Sequence, residues 1–184
     1  MLREIPNIIS IVRIILVIPI VIMMIKGMYD IALVLFIIAG ISDALDGFLA
    51  KHFGWVTRLG GILDPLADKM LLVSCYVVLG WQAEIPVWLV AAVILRDVII
   101  VTGGIVYHFR IENIEALPSV ISKINTFMQI VVVVAVIVSK AVWETSHNIL
   151  DVFFYITLVT TLASGIDYVW RWGRRANKVL KERS

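Results

Sequence analysis

The sequence predicts an all-α integral membrane fold of six transmembrane helices preceded by a short N-terminal interfacial segment. Three observations predict it. First, 61% of the 184 residues are apolar and the mean hydropathy is +0.99, against about 45–50% apolar in soluble domains. Second, a span needs roughly 20 apolar residues, and six runs approach that length: 7–25, 30–50, 63–80, 86–107, 119–139 and 148–170. Third, the run ends are marked as membrane boundaries are. Arg3, Lys51, Arg58 and Arg110 flank them on one side, and Arg171, Arg174, Arg175, Lys178, Lys181 and Arg183 follow the last run. Lys26 and Lys140 mark the other side. Basic residues concentrate on the cytoplasmic side of spans, so both termini are expected there, a parity that six spans satisfy. Trp55, Trp81, Trp88, Trp143, Trp170 and Trp172 fall near run ends, as an aromatic belt requires.

Taken in order, residues 1–6 are polar and end at Pro6, which gives the interfacial segment. The first run is long, begins after Arg3 and Glu4 and has no small-residue cleavage site, so it reads as an anchor rather than a leader. Pro19 within it is expected to kink the helix, which neighbouring spans tolerate. A tight hairpin, Lys26 to Asp30, leads to the second run. Residues 51–62 make a connection rich in glycine, at Gly54, Gly60 and Gly61, and residues 108–118 make another on the same side. No internal repeat divides the chain, so 1–184 is expected to be one membrane domain. Cys75 is the only cysteine, which excludes an internal disulfide and makes a thiolate metal site improbable.

Four aspartates carry the chemistry. Asp43 and Asp46 close the second run, and Asp64 and Asp68 open the third. A carboxylate at a bilayer centre costs about 2.5–3.5 kcal/mol on insertion scales, so intramembrane carboxylates mark function. Asp43 and Asp46 are three apart and Asp64 and Asp68 four apart, so each pair shares a helix face. If the second and third spans pack side by side, all four converge. Clustered carboxylates repel unless a cation joins them, and an oxygen-only set suits Mg²⁺ or Mn²⁺ better than zinc. Two such ions match four carboxylates in charge and leave positions for a diphosphate. Gly47 and Ala50 continue the Asp46 face and leave room for a nucleotide. Gly60 and Gly61 permit close backbone approach, and Lys51 and Arg58 bring positive charge to a phosphate.

At these residues the chain resembles the CDP-alcohol phosphatidyltransferase family. The family signature is Asp-x2-Asp-Gly-x2-Ala-Arg-x8-Gly-x3-Asp-x3-Asp. Here it runs Asp43, Asp46, Gly47, Ala50, Lys51, Gly60, Asp64, Asp68, with every spacing met. Lys51 replaces arginine and keeps the charge without the bidentate fork. The resemblance implies six spans over essentially the whole chain and a reaction in which an alcohol attacks the lipid-side phosphorus of CDP-diacylglycerol, with CMP leaving. It implies that Asp43, Asp46, Asp64 and Asp68 ligate two divalent ions, that Asp68 is also the general base, and that no covalent enzyme intermediate forms. Asp46, Gly47, Ala50, Lys51, Arg58 and Gly60 would surround the CDP diphosphate. Ile5-Pro6-Asn7 and Arg13 also fit the family pattern at the start of the first span. Outside the family, Asn7 reads as a helix cap and Arg13 as an ion pair or a snorkelling cation. A homodimer in an inner membrane of bacterial or mitochondrial type is implied, with the active site on the cytoplasmic or matrix face. No nucleic-acid partner is expected.

The acceptor is read from the fourth and fifth runs. Arg96 and Asp97 sit inside the fourth, and Ser122, Lys123 and Asn125 in the fifth. Membrane cations of this kind face cavities or partners, and an acceptor pocket for a phosphate would use Arg96, Asp97, Ser122, Lys123 and Asn125. An Arg96 pair with Asp97 and a snorkelling Lys123 is the plainer reading. Phosphatidylglycerophosphate synthases of the family carry a second arginine after the first and a second lysine in the fifth span. Here the next arginine is Arg110, and Asn125 stands where the second lysine would be. The pattern is closer to the eukaryotic-type, CDP-diacylglycerol-dependent cardiolipin synthase branch, whose acceptor is phosphatidylglycerol. The alternative acceptor is glycerol 3-phosphate. Gly103 and Gly104 would open space for a second lipid or serve helix packing. His52, His108 and His147 have no lysine two residues on, which excludes the phosphohistidine route. A cation transporter is the alternative of another class. It predicts ionisable groups spread through the membrane depth, whereas these cluster at one face.

Overall fold

The computed structural model describes residues 5–55, 60–110, 119–142, 145 and 147–183. It gives the backbone alone for 5–6, 50–51, 61–62, 104–110, 147, 173 and 175–183. Six helices follow one another: α1 (Ile5–Ile25), α2 (Tyr29–His52), α3 (Gly60–Trp81), α4 (Val87–Arg110), α5 (Val120–Ala141) and α6 (His147–Arg183). The described residues contain no strand. Each helix coincides with one predicted run. Four of them contain stretches long and apolar enough to cross a membrane: Asn7–Ile25, Tyr29–Leu49, Val120–Ala141 and Asn148–Trp172. The protein is an integral membrane protein. Among the described residues α3 and α4 do not meet the same requirement. Asp64, Asp68 and Lys69 dilute the start of α3, and the side chains of α4 are described only as far as Gly103, which leaves too short a stretch to qualify. Six helices stand where six spans were expected, and four of them qualify as spans among the described residues.

The helix ends follow from local chemistry. Pro6 lies in the first turn of α1, where a missing N–H costs nothing. Pro19 sits inside α1 without ending it. Gly27, at φ 73°, closes α1 in a Schellman motif. The Met28 N–H donates to the Met23 carbonyl at 2.9 Å and the Gly27 N–H to the Met24 carbonyl at 3.0 Å. The same motif ends α3. Glu84 donates to Leu79 at 2.9 Å and Ala83 to Gly80 at 3.1 Å, but the left-handed position, φ 60°, is held by Ala83. Ser119 caps α5, its hydroxyl accepting the Ser122 N–H at 3.1 Å. The α6 helix is longer than its run. Its 37 residues extend about 55 Å, well past a hydrocarbon core of about 30 Å. The expected interfacial segment lies mostly in residues 1–4, outside the described residues.

Contacts group the chain into two compact units, residues 1–85 with 133–145, and residues 86–132 with 146–184. In the first, α1 packs on both α2 and α3. Its buried face is a single stripe, Asn7, Ser10, Arg13, Val17, Ile20 and Met24, at helical spacing. On α2 the buried stripe is Ala32, Phe36, Ala39 and Asp46. Fully buried Ala32, Ala39 and Ala67 let the helices approach closely. At one end Gln82 donates to the Met24 carbonyl at 2.9 Å and accepts from the Tyr29 hydroxyl at 2.8 Å. The Lys140–Glu84 ion pair, 2.7 Å, lies beside it. These pairings make α2 antiparallel to α1 and α3 parallel to it. In the second unit α4 packs on α6. Trp88 stacks with Tyr155, Arg96 bonds Ser164, and Tyr168 bonds the Ile100 carbonyl, so α4 and α6 run parallel. Asn125 bonds Thr161, and Met128 lies opposite Thr157, so α5 opposes α6. Within each unit the directions are those of alternating spans.

Candidate functional site

The polar ends of the α1 and α2 stripes meet at the start of α3. Arg13 is 1% exposed. Its Nη1 donates to Asp43 Oδ1 at 2.5 Å and to Asp68, and its Nη2 donates to Asp46. One turn earlier on the same face of α1, the Ser10 hydroxyl donates to Asp64. All four aspartates are thus gathered, from two helices, onto two residues of a third. Side-by-side packing of the second and third spans, the condition set for convergence, is not what gathers the aspartates among the described residues. Helix α1 carries the main contacts to both, and the carboxylates converge through it. The reason is visible in α1, whose only polar residues between Asn7 and Ile25 are Asn7, Ser10 and Arg13, all on the face that α2 and α3 bury.

Burial is uneven. Asp46 is 2% exposed, whereas the Asp43 and Asp68 side chains are 45% and 44% exposed. Two carboxylates are therefore open to solute while one is sealed against Arg13. The cluster lies at the end of the unit opposite Gln82. Asp46 is 17 residues along α2 from Tyr29, or about 25 Å. A β-carbon added at Gly47 would meet nothing within 4 Å, so the space beside Asp46 is open. Gly60 is buried at the start of α3. The side chains of Ala50 and Lys51, and all of Arg58, lie outside the described residues.

The donor set fits a hard divalent cation: four carboxylates, oxygen only, in one place. The central position holds the Arg13 guanidinium, a monovalent cation already bonded to three of the four. Among the described residues, no three carboxylate, imidazole or thiol groups have closed to metal-ligand spacing. The buried Arg13 Nε has no hydrogen-bond partner among the described residues.

Ser10 was not singled out from the sequence, and Arg13 was left between several roles. The signal for both was there. Asn7, Ser10 and Arg13 recur every third residue in a helix otherwise apolar all round.

The predicted acceptor residues belong to the second unit, and three are brought together. Arg96, 5% exposed, donates from Nη1 to Asp97 at 2.7 Å and from Nη2 to the Ser122 hydroxyl at 2.5 Å. It also bonds Ser164 from Nη2 at 2.7 Å and from Nε at 3.2 Å. Ser164 is a further residue that sequence reasoning missed. Asn125 is fully buried, and its Oδ1 accepts the hydroxyls of Thr160 at 3.1 Å and Thr161 at 2.8 Å. Its Nδ2 donor has no partner among the described residues. Lys123 is exposed, beside Ser122 and Thr126 in a shallow recess. A groove of about 590 Å³ runs between α4 and α6 past Arg96, walled by Leu95, Ile99, Leu162, Ile166 and Val169. Gly103 does not open space for a ligand. Tyr168 fills it, with its ring edge 3.0 Å from where a β-carbon would stand. The side chain position of Gly104 lies outside the described residues.

The sequence matches the CDP-alcohol phosphatidyltransferase family over residues 3–163. It is 32% identical to a Homo sapiens protein named cardiolipin synthase (CMP-forming), over 97% of this chain and 64% of that one. A Drosophila melanogaster protein named probable cardiolipin synthase (CMP-forming) is 30% identical, over 91% of this chain and 57% of its own. This chain therefore spans less than two thirds of the length of either. A Bacillus subtilis protein named CDP-diacylglycerol–glycerol-3-phosphate 3-phosphatidyltransferase is 32% identical, over 73% of this chain and 69% of its own.

Proposed function

This chain belongs to the CDP-alcohol phosphatidyltransferase family, and from that premise we propose that it transfers the phosphatidyl group of CDP-diacylglycerol to an alcohol and releases CMP. The observation that carries the proposal is the gathering of Asp43, Asp46, Asp64 and Asp68 onto Arg13 and Ser10. Four carboxylates at one end of a membrane helix group, partly open to solute, have few uses besides binding cations.

The family works with divalent metal ions. We assign Asp43, Asp46, Asp64 and Asp68 as the residues that hold two of them, Mg²⁺ or Mn²⁺. Bound there, such ions supply counter-charge to the diphosphate and to the leaving phosphate oxygen. Asp46, Gly47, Ala50, Lys51, Arg58 and Gly60 surround the CDP moiety, with the open face of Gly47 giving it room. Asp68, with its carboxylate half exposed, takes the proton of the incoming hydroxyl. As that proton leaves, the alcohol oxygen bonds to the lipid-side phosphorus. The bond from this phosphorus to the bridging oxygen breaks, and CMP departs with the electron pair. No covalent enzyme intermediate is needed. We place this site and both termini on the cytoplasmic or matrix face because the basic residues concentrate there, and we take 1–184 as one domain of a homodimer.

The acceptor we favour is phosphatidylglycerol, making the activity that of a cardiolipin synthase. Arg96 with Ser122 and Ser164 provides for one phosphodiester charge, and the apolar groove beside Arg96 suits an acyl chain. Asp97, Lys123 and Asn125 complete the assignment. The second reading, glycerol 3-phosphate, draws on the likeness to the Bacillus subtilis protein. The test is a detergent-micelle reaction of the full chain with CDP-diacylglycerol, Mn²⁺ and either acceptor, with the lipid product weighed by mass spectrometry. Cardiolipin from phosphatidylglycerol is expected. Phosphatidylglycerophosphate as the sole product would overturn the acceptor assignment. No product with either alcohol would overturn the proposed reaction for both.

A further inference from the structure

We propose that Arg13 is a placeholder cation, whose guanidinium occupies the carboxylate cluster of the metal-free protein and is displaced when a divalent cation enters. The inference rests on the reading of the four aspartates as metal ligands, and it adds a regulatory role for a residue of α1.

Geometry is the first support. One guanidinium bridges three carboxylates from two helices: Nη1 serves Asp43 and Asp68, and Nη2 serves Asp46. A metal that binds through Asp43 Oδ1, Asp46 Oδ2 or Asp68 Oδ1 competes with Arg13 for that oxygen. Charge is the second support. Arg13 brings one positive charge to three of the four aspartates, and a divalent cation brings more charge to the same oxygens. Placement is the third. Arg13 lies on the stripe that α1 buries, so the side chain is delivered to the cluster by the packing of α1 on α2 and α3. It holds three mutually repelling carboxylates in one place before any metal arrives, with Ser10 holding the fourth.

The fourth support is the Nε, which has no partner among the described residues and is buried in a residue only 1% exposed. An arginine serving only as a structural ion pair is expected to have its buried donors satisfied. This one keeps a donor in reserve. Once released, the guanidinium remains tethered to α1 beside the cluster, with planar N–H donors suited to phosphate oxygens. The ligand it would then meet is the diphosphate that the metal ions hold.

The test is a titration of EDTA-stripped full chain in micelles with Mn²⁺, following the free-ion signal by electron paramagnetic resonance. Wild type, Arg13→Met and Arg13→Lys are compared, with folding checked by circular dichroism. Emptying the seat should tighten Mn²⁺ binding in Arg13→Met by roughly ten-fold, because wild type binds only through the fraction in which the seat is free. The metal-free Arg13→Met protein should also melt below metal-free wild type, and added Mn²⁺ should raise its melting temperature by more. Arg13→Lys, which keeps a cation, should bind as wild type does to within about three-fold. Equal or weaker binding by folded Arg13→Met would overturn the proposal while leaving the metal site intact. Absence of binding in all three proteins would overturn the metal reading itself.

A second measurement covers the case in which Arg13→Met does not fold. With ¹⁵N-arginine in wild type, the Arg13 Nη protons should exchange slowly with water without metal and markedly faster with Mg²⁺. Unchanged exchange at saturating Mg²⁺ would overturn displacement.

Discussion

Arg13 and Asp46 form an ion pair in which both partners are sealed from solvent, at 1% and 2% exposure. The arginine keeps Asp43 and Asp68 if Asp46 is lost, so Asp46→Asn does not strand a charge outright. It does turn a charge-assisted hydrogen bond into a neutral one, a loss of about 1 kcal/mol. Thermal unfolding of the metal-free variant in micelles should show a loss of that order. A variant as stable as wild type would mean that the pair contributes nothing net.

Arg96 holds Asp97, Ser122 and Ser164 at once through a planar fork. Arg96→Lys keeps the charge and cannot keep that geometry. If Arg96 binds the acceptor phosphate, kcat/KM for the acceptor should fall by roughly ten-fold or more, mainly through KM, with KM for CDP-diacylglycerol unchanged. Equal losses for both substrates would make Arg96 a packing residue.

Ala83 occupies the left-handed position that ends α3, at φ 60°. That conformation costs a residue with a β-carbon about 1–2 kcal/mol, and glycine gives back part of the gain in backbone entropy. Ala83→Gly should therefore stabilise the protein by up to about 1 kcal/mol, read as a raised melting temperature, with activity unchanged. A lowered melting temperature would contradict the strain.

Tyr168 lies against Gly103 and donates to the Ile100 carbonyl at 2.9 Å. A β-carbon at Gly103 would stand 3.0 Å from its ring, so Gly103→Val should destabilise by about 1–3 kcal/mol through overpacking. Adding Tyr168→Ala should recover part of that loss. A double variant whose cost is the plain sum of the two would show that ring and glycine are not coupled.

The positions of all six helices were legible because each is an apolar run bounded by glycine, proline or charge. The convergence of the aspartates was legible too, since spacings of three and four put Asp43 with Asp46 and Asp64 with Asp68. What gathers them was not. Helix α1 is so apolar that its face cannot be read from hydrophobic periodicity, and only the spacing of Asn7, Ser10 and Arg13 betrays it. That α2 and α3 meet on α1, and that Ser164 and Thr161 on α6 hold Arg96 and Asn125, are matters of tertiary packing. The 37-residue length of α6 was hidden because its last turns are basic, and hydropathy ends the span where the helix does not end.

The most direct test of the central claim is metal-dependent CMP release from CDP-diacylglycerol by wild type and Asp68→Asn, with phosphatidylglycerol present. Wild type should release CMP with Mg²⁺ or Mn²⁺ and stop on addition of EDTA. Asp68→Asn should lose about 10²-fold or more, because the substitution removes the proposed base and a proposed ligand together. Full activity in Asp68→Asn, or release that persists in EDTA, would contradict a carboxylate-centred metal mechanism.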